Sequence, residues 1–214
     1  MITAQQASIK ALEICQLAPI VPVLVVEDAA IAQDLARALV AGGLPALEVT
    51  LRTEAALDVI SEMAKVEGGV VGAGTLLTRD DVQAAKAAGA RFGVSPGATD
   101  KLLDACEAEG LPLLPGAATA SEAMALLERG YTVQKFFPAE ASGGAAALKA
   151  IGAPIPQVRF CPTGGVSPSN AQTYLSLPNT VCAGGSWVCP KDLIEAKDWD
   201  AITELARAAA GLSV

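Results

Sequence analysis

Lys135 stands in Val133-Gln134-Lys135-Phe136-Phe137-Pro138, a run that is apolar and aromatic around the lysine and that Pro138 stops. Such a run reads as a short buried strand. A buried ammonium must find a carboxylate or give up its proton, because burial disfavours the charged form. A neutral lysine amine in a dry pocket is the nucleophile that attacks a carbonyl carbon and forms a Schiff base. A lysine whose stem packs while its head reaches the rim is the alternative. Glu48 is the second ionisable residue inside an apolar run, Ala46-Leu47-Glu48-Val49-Thr50. Side chains alternate along a strand, so if Leu47 and Val49 face helices, Glu48 and Thr50 point the other way. Glu48 and Lys135 then either serve proton transfer and nucleophilic attack, or fix the strand register as a buried ion pair.

What the chain lacks narrows the chemistry further. It has no histidine, which excludes Ser-His-Asp and Cys-His arrangements, histidine general bases and the common His-containing zinc sites. Acid–base work must fall to Glu, Asp, Lys, Tyr, Cys or the substrate. The five cysteines, Cys15, Cys106, Cys161, Cys182 and Cys189, include no C-x-x-C spacing and are expected to be reduced and mostly buried. Cys161 lacks the histidine that would activate it as a nucleophile. The net charge of −8 is spread thinly, with no Lys/Arg cluster, so nucleic acid and anionic membrane are poor partners. No apolar run approaches the roughly 18 residues of a membrane span. The N-terminal Met1-Ile2-Thr3-Ala4-Gln5-Gln6 does not read as a secretory signal.

The elements that must carry these residues recur along the whole chain. Strands are expected at 21–26, 46–50, 70–75, 92–96, 111–115, 133–138, 158–163 and 180–188. Helical spacing falls between them, as in Ile31, Leu35, Leu39 and in Leu57, Ile60, Ala64, and a last helix carries Trp199, Ile202, Leu205 and Ala206. Helix starts are marked by Asp28, by Thr78 with Asp81, by Thr119 with Glu122 and by Ser167-Pro168. Stops are marked by Gly42-Gly43, Gly89, Gly110 and Gly130. Eight strands alternating with helices at a period of roughly 20–25 residues predict an α/β fold, a (β/α)8 TIM barrel forming a single domain over residues 1–214. An open doubly wound sheet is the rival, but Gly72-Ala73-Gly74-Thr75-Leu76-Leu77 lacks the third glycine of its fingerprint. In a barrel, functional groups gather at the C-terminal strand ends. Those ends carry Glu48, Thr50, Arg52, Thr75, Ser95-Pro96, Lys135, Thr163-Gly164-Gly165 and Gly184-Gly185-Ser186. The glycine pairs after strands seven and eight sit at the usual barrel phosphate site, where bare backbone amides take the anion and Ser186 can add a hydroxyl.

With these residues assembled, the chain closely resembles the 2-keto-3-deoxy-6-phosphogluconate (KDPG) aldolase family, the Schiff-base KHG/KDPG aldolases of the Entner–Doudoroff pathway. The likeness runs from Val21-Pro22-Val23 to the last helix. It rests on Leu47-Glu48-Val49-Thr50-Leu51-Arg52-Thr53, Gly72-Ala73-Gly74-Thr75, Ser95-Pro96-Gly97, Lys135-Phe136-Phe137-Pro138-Ala139-Glu140, Arg159-Phe160-Cys161-Pro162-Thr163-Gly164-Gly165 and Gly184-Gly185-Ser186-Trp187. By that resemblance Lys135 forms the Schiff base and Glu48 is the general acid–base. Arg52, Thr75 and Pro96 frame the pyruvate part, Phe137 lines the pocket and Thr163 contacts the substrate. Gly164, Gly165, Gly185 and Ser186 hold the 6-phosphate. The resemblance implies cleavage to pyruvate and glyceraldehyde 3-phosphate, action on 4-hydroxy-2-oxoglutarate in some members, no cofactor or metal, a homotrimer and a cytoplasmic location. Ala98 and Ser142 depart from the family pattern in two loops. The sister aldolase for 2-keto-3-deoxy-6-phosphogalactonate, a non-catalytic phosphosugar-binding barrel and a carboxylate-based isomerase are the rival readings.

Overall fold

Short parallel strands, nearly all followed by a helix, curl around an inner core and carry most of the helices outside. The computed structural model describes all 214 residues, Met1–Val214. The order is α1 (Ala4–Cys15), β1 (Ile20–Leu24), a short 3-10 turn (Ala29–Ile31), α2 (Ala32–Ala41), β2 (Ala46–Thr50), α3 (Ala56–Met63), β3 (Val70–Gly74), α4 (Arg79–Ala87), β4 (Gly93–Val94) and α5 (Asp100–Glu109). There follow β5 (Leu113–Leu114), β6 (Gly116–Ala117), α6 (Ala120–Arg129), β7 (Val133–Phe136), α7 (Gly144–Gly152), β8 (Arg159–Pro162), α8 (Ala171–Leu175), β9 (Ala183–Gly185), α9 (Lys191–Ala196) and α10 (Trp199–Ala210). No helix is long and apolar enough to cross a membrane.

The strands form two parallel sheets, β5-β4-β3-β2-β1-β9 and β6-β7-β8. The expected fifth strand, 111–115, is shortened to Leu113–Leu114, and beyond Pro115 a further strand, Gly116–Ala117, belongs to the other sheet. Leu113 and Leu114 pair with β4, and Gly116 and Ala117 pair with β7. Proline has no N–H for a ladder, but its carbonyl accepts from Lys135 N at 2.8 Å. At the other edge, single bridges join Phe160 to Thr180 and Thr163 to Gly184.

Alternation sorts the side chains into two cores. Leu47 and Val49 of β2, Phe136 of β7 and Phe160 of β8 pack outward with Leu35, Leu39, Val59, Ile60 and Leu126 of the helices. Ala46, Val133, Cys161, Val21 and Val94 pack inward, so Glu48 and Lys135 share the inner face with them. All five cysteines are free and buried.

Helix boundaries follow local chemistry. Thr78 with Asp81 and Thr119 with Glu122 form reciprocal capping boxes, and Gly110 and Gly130 end their helices in the left-handed conformation. Two expectations need correction. In α3 the buried stripe is Ala56, Val59, Ile60 and Met63, while Leu57 and Ala64 are exposed, because the phase of the helix is set by its packing against α2, β2 and β3. Ser167-Pro168 does not open a helix. Asn170 caps the turn by accepting from Ser167 N at 2.8 Å, and α8 begins only at Ala171.

Candidate active site

Strand ends β1, β2, β3, β4, β7, β8 and β9 with their following loops enclose a cleft of about 300 Å³. Every residue given a role in the site lines it, namely Glu48, Arg52, Thr75, Pro96, Lys135, Phe137, Thr163, Gly164, Gly165, Gly185 and Ser186, whereas Ser95, also read at a strand end, is fully buried and does not. Val23, Thr50, Val166 and Gly184 complete the wall. Val23 was legible only once Glu48 was known to face inward, since the two are register partners. Val166 carries no chemical signal of its own.

Lys135 Nζ donates to Glu48 Oε1 at 3.3 Å, and the two side chains are only 6% and 3% exposed. The lysine head also lies 5.0 Å from the centre of the Phe137 ring, so its surroundings are apolar on one side and anionic on the other. Burial pushes the Glu48 carboxyl above the ordinary glutamate range, and the neighbouring Lys135 charge opposes the rise without cancelling it. The carboxylate fits here because residue 74 is glycine: a Cβ on Gly74 would collide with Glu48 Oε1. Gly184 does the same for Thr163, whose hydroxyl would meet any added Cβ.

The mouth of the cleft is built differently. Arg52 is exposed and its Nε donates to Thr50 Oγ1 at 3.2 Å. Thr75 holds the left-handed conformation at φ 62°, uncommon for a non-glycine and typical of positions that surrounding structure enforces. After β8, Gly164 and Gly165 turn with φ of 99° and 80°, which a side chain would strain. The amides of Gly164, Gly165 and Ser186 donate to no backbone carbonyl, leaving N–H groups free at the wall for an anion. Asn170 Nδ2 donates to Gly165 O at 3.1 Å, and Glu140 N donates to Gly164 O at 3.0 Å, so the loop is held by its carbonyls while its amides stay open.

A buried lysine paired with a glutamate at the floor, below a guanidinium and a rim of bare amides, gives a cleft on a parallel α/β scaffold with groups able to act on an anionic carbonyl compound. The KDPG and KHG aldolase family model matches residues 11–205. A 2-dehydro-3-deoxy-phosphogluconate aldolase of Pseudoalteromonas atlantica is 57% identical over 192 residues, 89% of each chain. The crystal structure of the KDPG aldolase of Zymomonas mobilis with 3-phosphoglycerate superposes with a TM-score of 0.90 at 48% identity, covering 94% of this chain and 95% of that one. The Legionella pneumophila KDPG aldolase, solved with pyruvate captured at low pH as a covalent carbinolamine intermediate, gives 0.90 at 44% identity, covering 94% and 98%. The chain belongs to the KDPG and KHG aldolase family, and so to the lyases.

Proposed function

We propose that the cleft cleaves 2-keto-3-deoxy-6-phosphogluconate to pyruvate and glyceraldehyde 3-phosphate through a Schiff base on Lys135. The observation that carries this reading is the buried Lys135–Glu48 pair at the floor of the cleft. Passing the ammonium proton to Glu48, which burial makes readier to hold it, yields a nucleophilic amine and a general acid in one step. The amine adds to the C2 carbonyl, and loss of the carbonyl oxygen as water leaves an iminium. Glu48, ionised again, takes the C4 hydroxyl proton. The C3–C4 bond breaks, its electrons move into the iminium as an enamine, and glyceraldehyde 3-phosphate departs. Protonation of C3 and hydrolysis of the imine release pyruvate and restore Lys135. The iminium takes up the electrons, so no step calls for a metal. Arg52 pairs with the C1 carboxylate, Thr75, Pro96 and Phe137 shape the pyruvate pocket, and Gly164, Gly165, Gly185 and Ser186 hold the phosphate, which anchors the substrate away from the reacting carbons.

The two sheets then act as one (β/α)8 barrel and one domain over residues 1–214, closed through Pro115 on one side and the β8–β9 bridges on the other. A cytoplasmic homotrimer, with action on 4-hydroxy-2-oxoglutarate as a second substrate, is the assembly and range that the family resemblance implies. The test is sodium borohydride in the presence of pyruvate. One adduct is expected, on the Lys135 peptide, among the eight lysines of the chain. An adduct elsewhere, or none, overturns the mechanism.

Thr163 bears on the choice between epimers. Its hydroxyl lines the cleft and its best protein acceptor, Cys161 O, is a distant 3.5 Å away, so it is available to a substrate hydroxyl at C4. A site that hydrogen-bonds a hydroxyl discriminates against one placed wrongly. The gluconate epimer is expected to be preferred over the galactonate epimer in kcat/KM, and Thr163→Val is expected to shrink that ratio by roughly 10-fold. An unchanged ratio in the variant removes Thr163 from this role.

A further inference from the structure

Arg52 sits two residues beyond the end of β2, exposed, where an unbranched side chain would ordinarily sample many rotamers. Its surroundings restrict it. Leu51 N donates to Gly74 O at 2.9 Å, Thr50 Oγ1 donates to Leu24 O at 2.9 Å, and Thr53 Oγ1 donates to Val26 O at 2.7 Å. The backbone that carries Arg52 is thus stitched to β3 on one side and to the end of β1 at two points on the other.

The hydroxyl of Thr50 carries this restraint to the side chain. Thr50 is 2% exposed, and its single proton is committed to the Leu24 carbonyl, which can only accept. Toward Arg52 the oxygen is therefore an acceptor, matched to Nε–H, which can only donate, at 3.2 Å. That bond takes Nε out of the groups available to a ligand. The two terminal nitrogens, with four N–H donors, make no hydrogen bond or ion pair within the chain. A guanidinium meets a carboxylate either side-on, through Nε and one terminal nitrogen, or end-on, through both terminal nitrogens.

We propose that Thr50 is the positioning residue for substrate carboxylate recognition: by occupying Nε it turns Arg52 so that both terminal nitrogens meet the C1 carboxylate of the keto acid end-on. This rests on the aldolase reading. Thr50 acts through Arg52, and its effect falls on binding of the pyruvate half.

Borohydride trapping at graded pyruvate concentrations, run beside steady-state kinetics on the phosphorylated substrate, tests this. Thr50→Val keeps the shape and removes the hydroxyl. It is expected to raise the pyruvate concentration for half-maximal trapping, and KM, by roughly 10-fold, while kcat at saturation stays within about twofold. Thr50→Ser is expected to restore both values. Thr50→Ala against Thr50→Ser makes the same comparison should the valine variant not fold. In an Arg52→Lys background, which has no Nε–H, Thr50→Val is expected to change nothing further. Unchanged half-saturation in the hydroxyl-free variants, a serine variant as impaired as the valine one, or additive effects with Arg52→Lys overturns the inference. Wild-type protein that gives no adduct at all overturns the aldolase reading, and the Thr50 inference falls with it. That outcome is distinct from a wild type that traps and a variant that traps equally well.

Discussion

Lys135→Met is expected to lower kcat for cleavage of the phosphorylated keto acid by on the order of 10⁵-fold or more, the scale seen when a covalent nucleophile is removed. Methionine fills a similar volume and cannot form an imine. Its cost in stability is limited because Glu48, left without its cation, is already biased by burial toward the protonated form. Removing one partner of a buried pair otherwise costs about 3–5 kcal/mol, and a melting temperature recorded beside the kinetics separates the two effects. Lys135→Arg provides the complementary case, a cation beside Glu48 that is never deprotonated at working pH. Turnover within about 10-fold of wild type in either folded variant would mean that the nucleophile lies elsewhere.

Glu48→Gln acts on a different part of the cycle. The amide keeps the size of the carboxyl in the space that Gly74 leaves open, but it neither takes nor returns a proton. Turnover is expected to fall by roughly 10²–10⁴-fold, the usual contribution of a general acid–base group, with pyruvate still trapped on Lys135. The pH profile adds an independent readout. Because burial raises the Glu48 pKa, the rising limb in kcat/KM that reports its ionised form is expected above the ordinary glutamate value of about 4.3. Activity is lost as pH falls through that limb, and in Glu48→Gln the limb should vanish. A variant that turns over normally would return Glu48 to the role of counter-ion.

The floor of this cleft was legible in the sequence because it breaks a local rule. A lysine and a glutamate inside apolar strands stand out against period-two alternation, and Leu47 and Val49 alone sufficed to give Glu48 its direction. The glycine rim was legible for a similar reason, since paired glycines after successive strands are costly unless something approaches the backbone. Gly74 is different. Its importance lies in a collision with a side chain one strand away, which no local pattern encodes. Thr50 was visible as a neighbour of Glu48, but its bond to Arg52 depends on how the loop folds back. Strand lengths were overestimated wherever proline or glycine interrupts pairing, as at Pro115, and the phase of α3 depended on neighbours that its own spacing does not reveal. Helix α1 is not apparent in the spacing although Thr3 and Gln6 spell out its capping box, because its buried face is made of small residues, Ala4, Ala7, Ser8, Ala11 and Cys15, while the larger Ile9 points to solvent.

That first helix imposes an order on assembly during synthesis. Ser8 Oγ accepts from Thr132 N at 2.9 Å and from Val133 N at 3.0 Å, a separation of 125 residues for the latter, and Ile2 N donates to Glu107 O at 2.8 Å. A helix of 12 residues is marginal by itself in water. At translation rates of about 5–20 residues per second it waits on the order of 6–25 s for β7 to leave the ribosome. Until then the inner core has no cover on the α1 side, and Cys15 has not met Cys161 and Cys182, its neighbours in that core. The nascent chain therefore spends those seconds with an apolar, thiol-bearing surface unprotected, a window in which a chaperone or an oxidant could reach residues that the finished fold seals away.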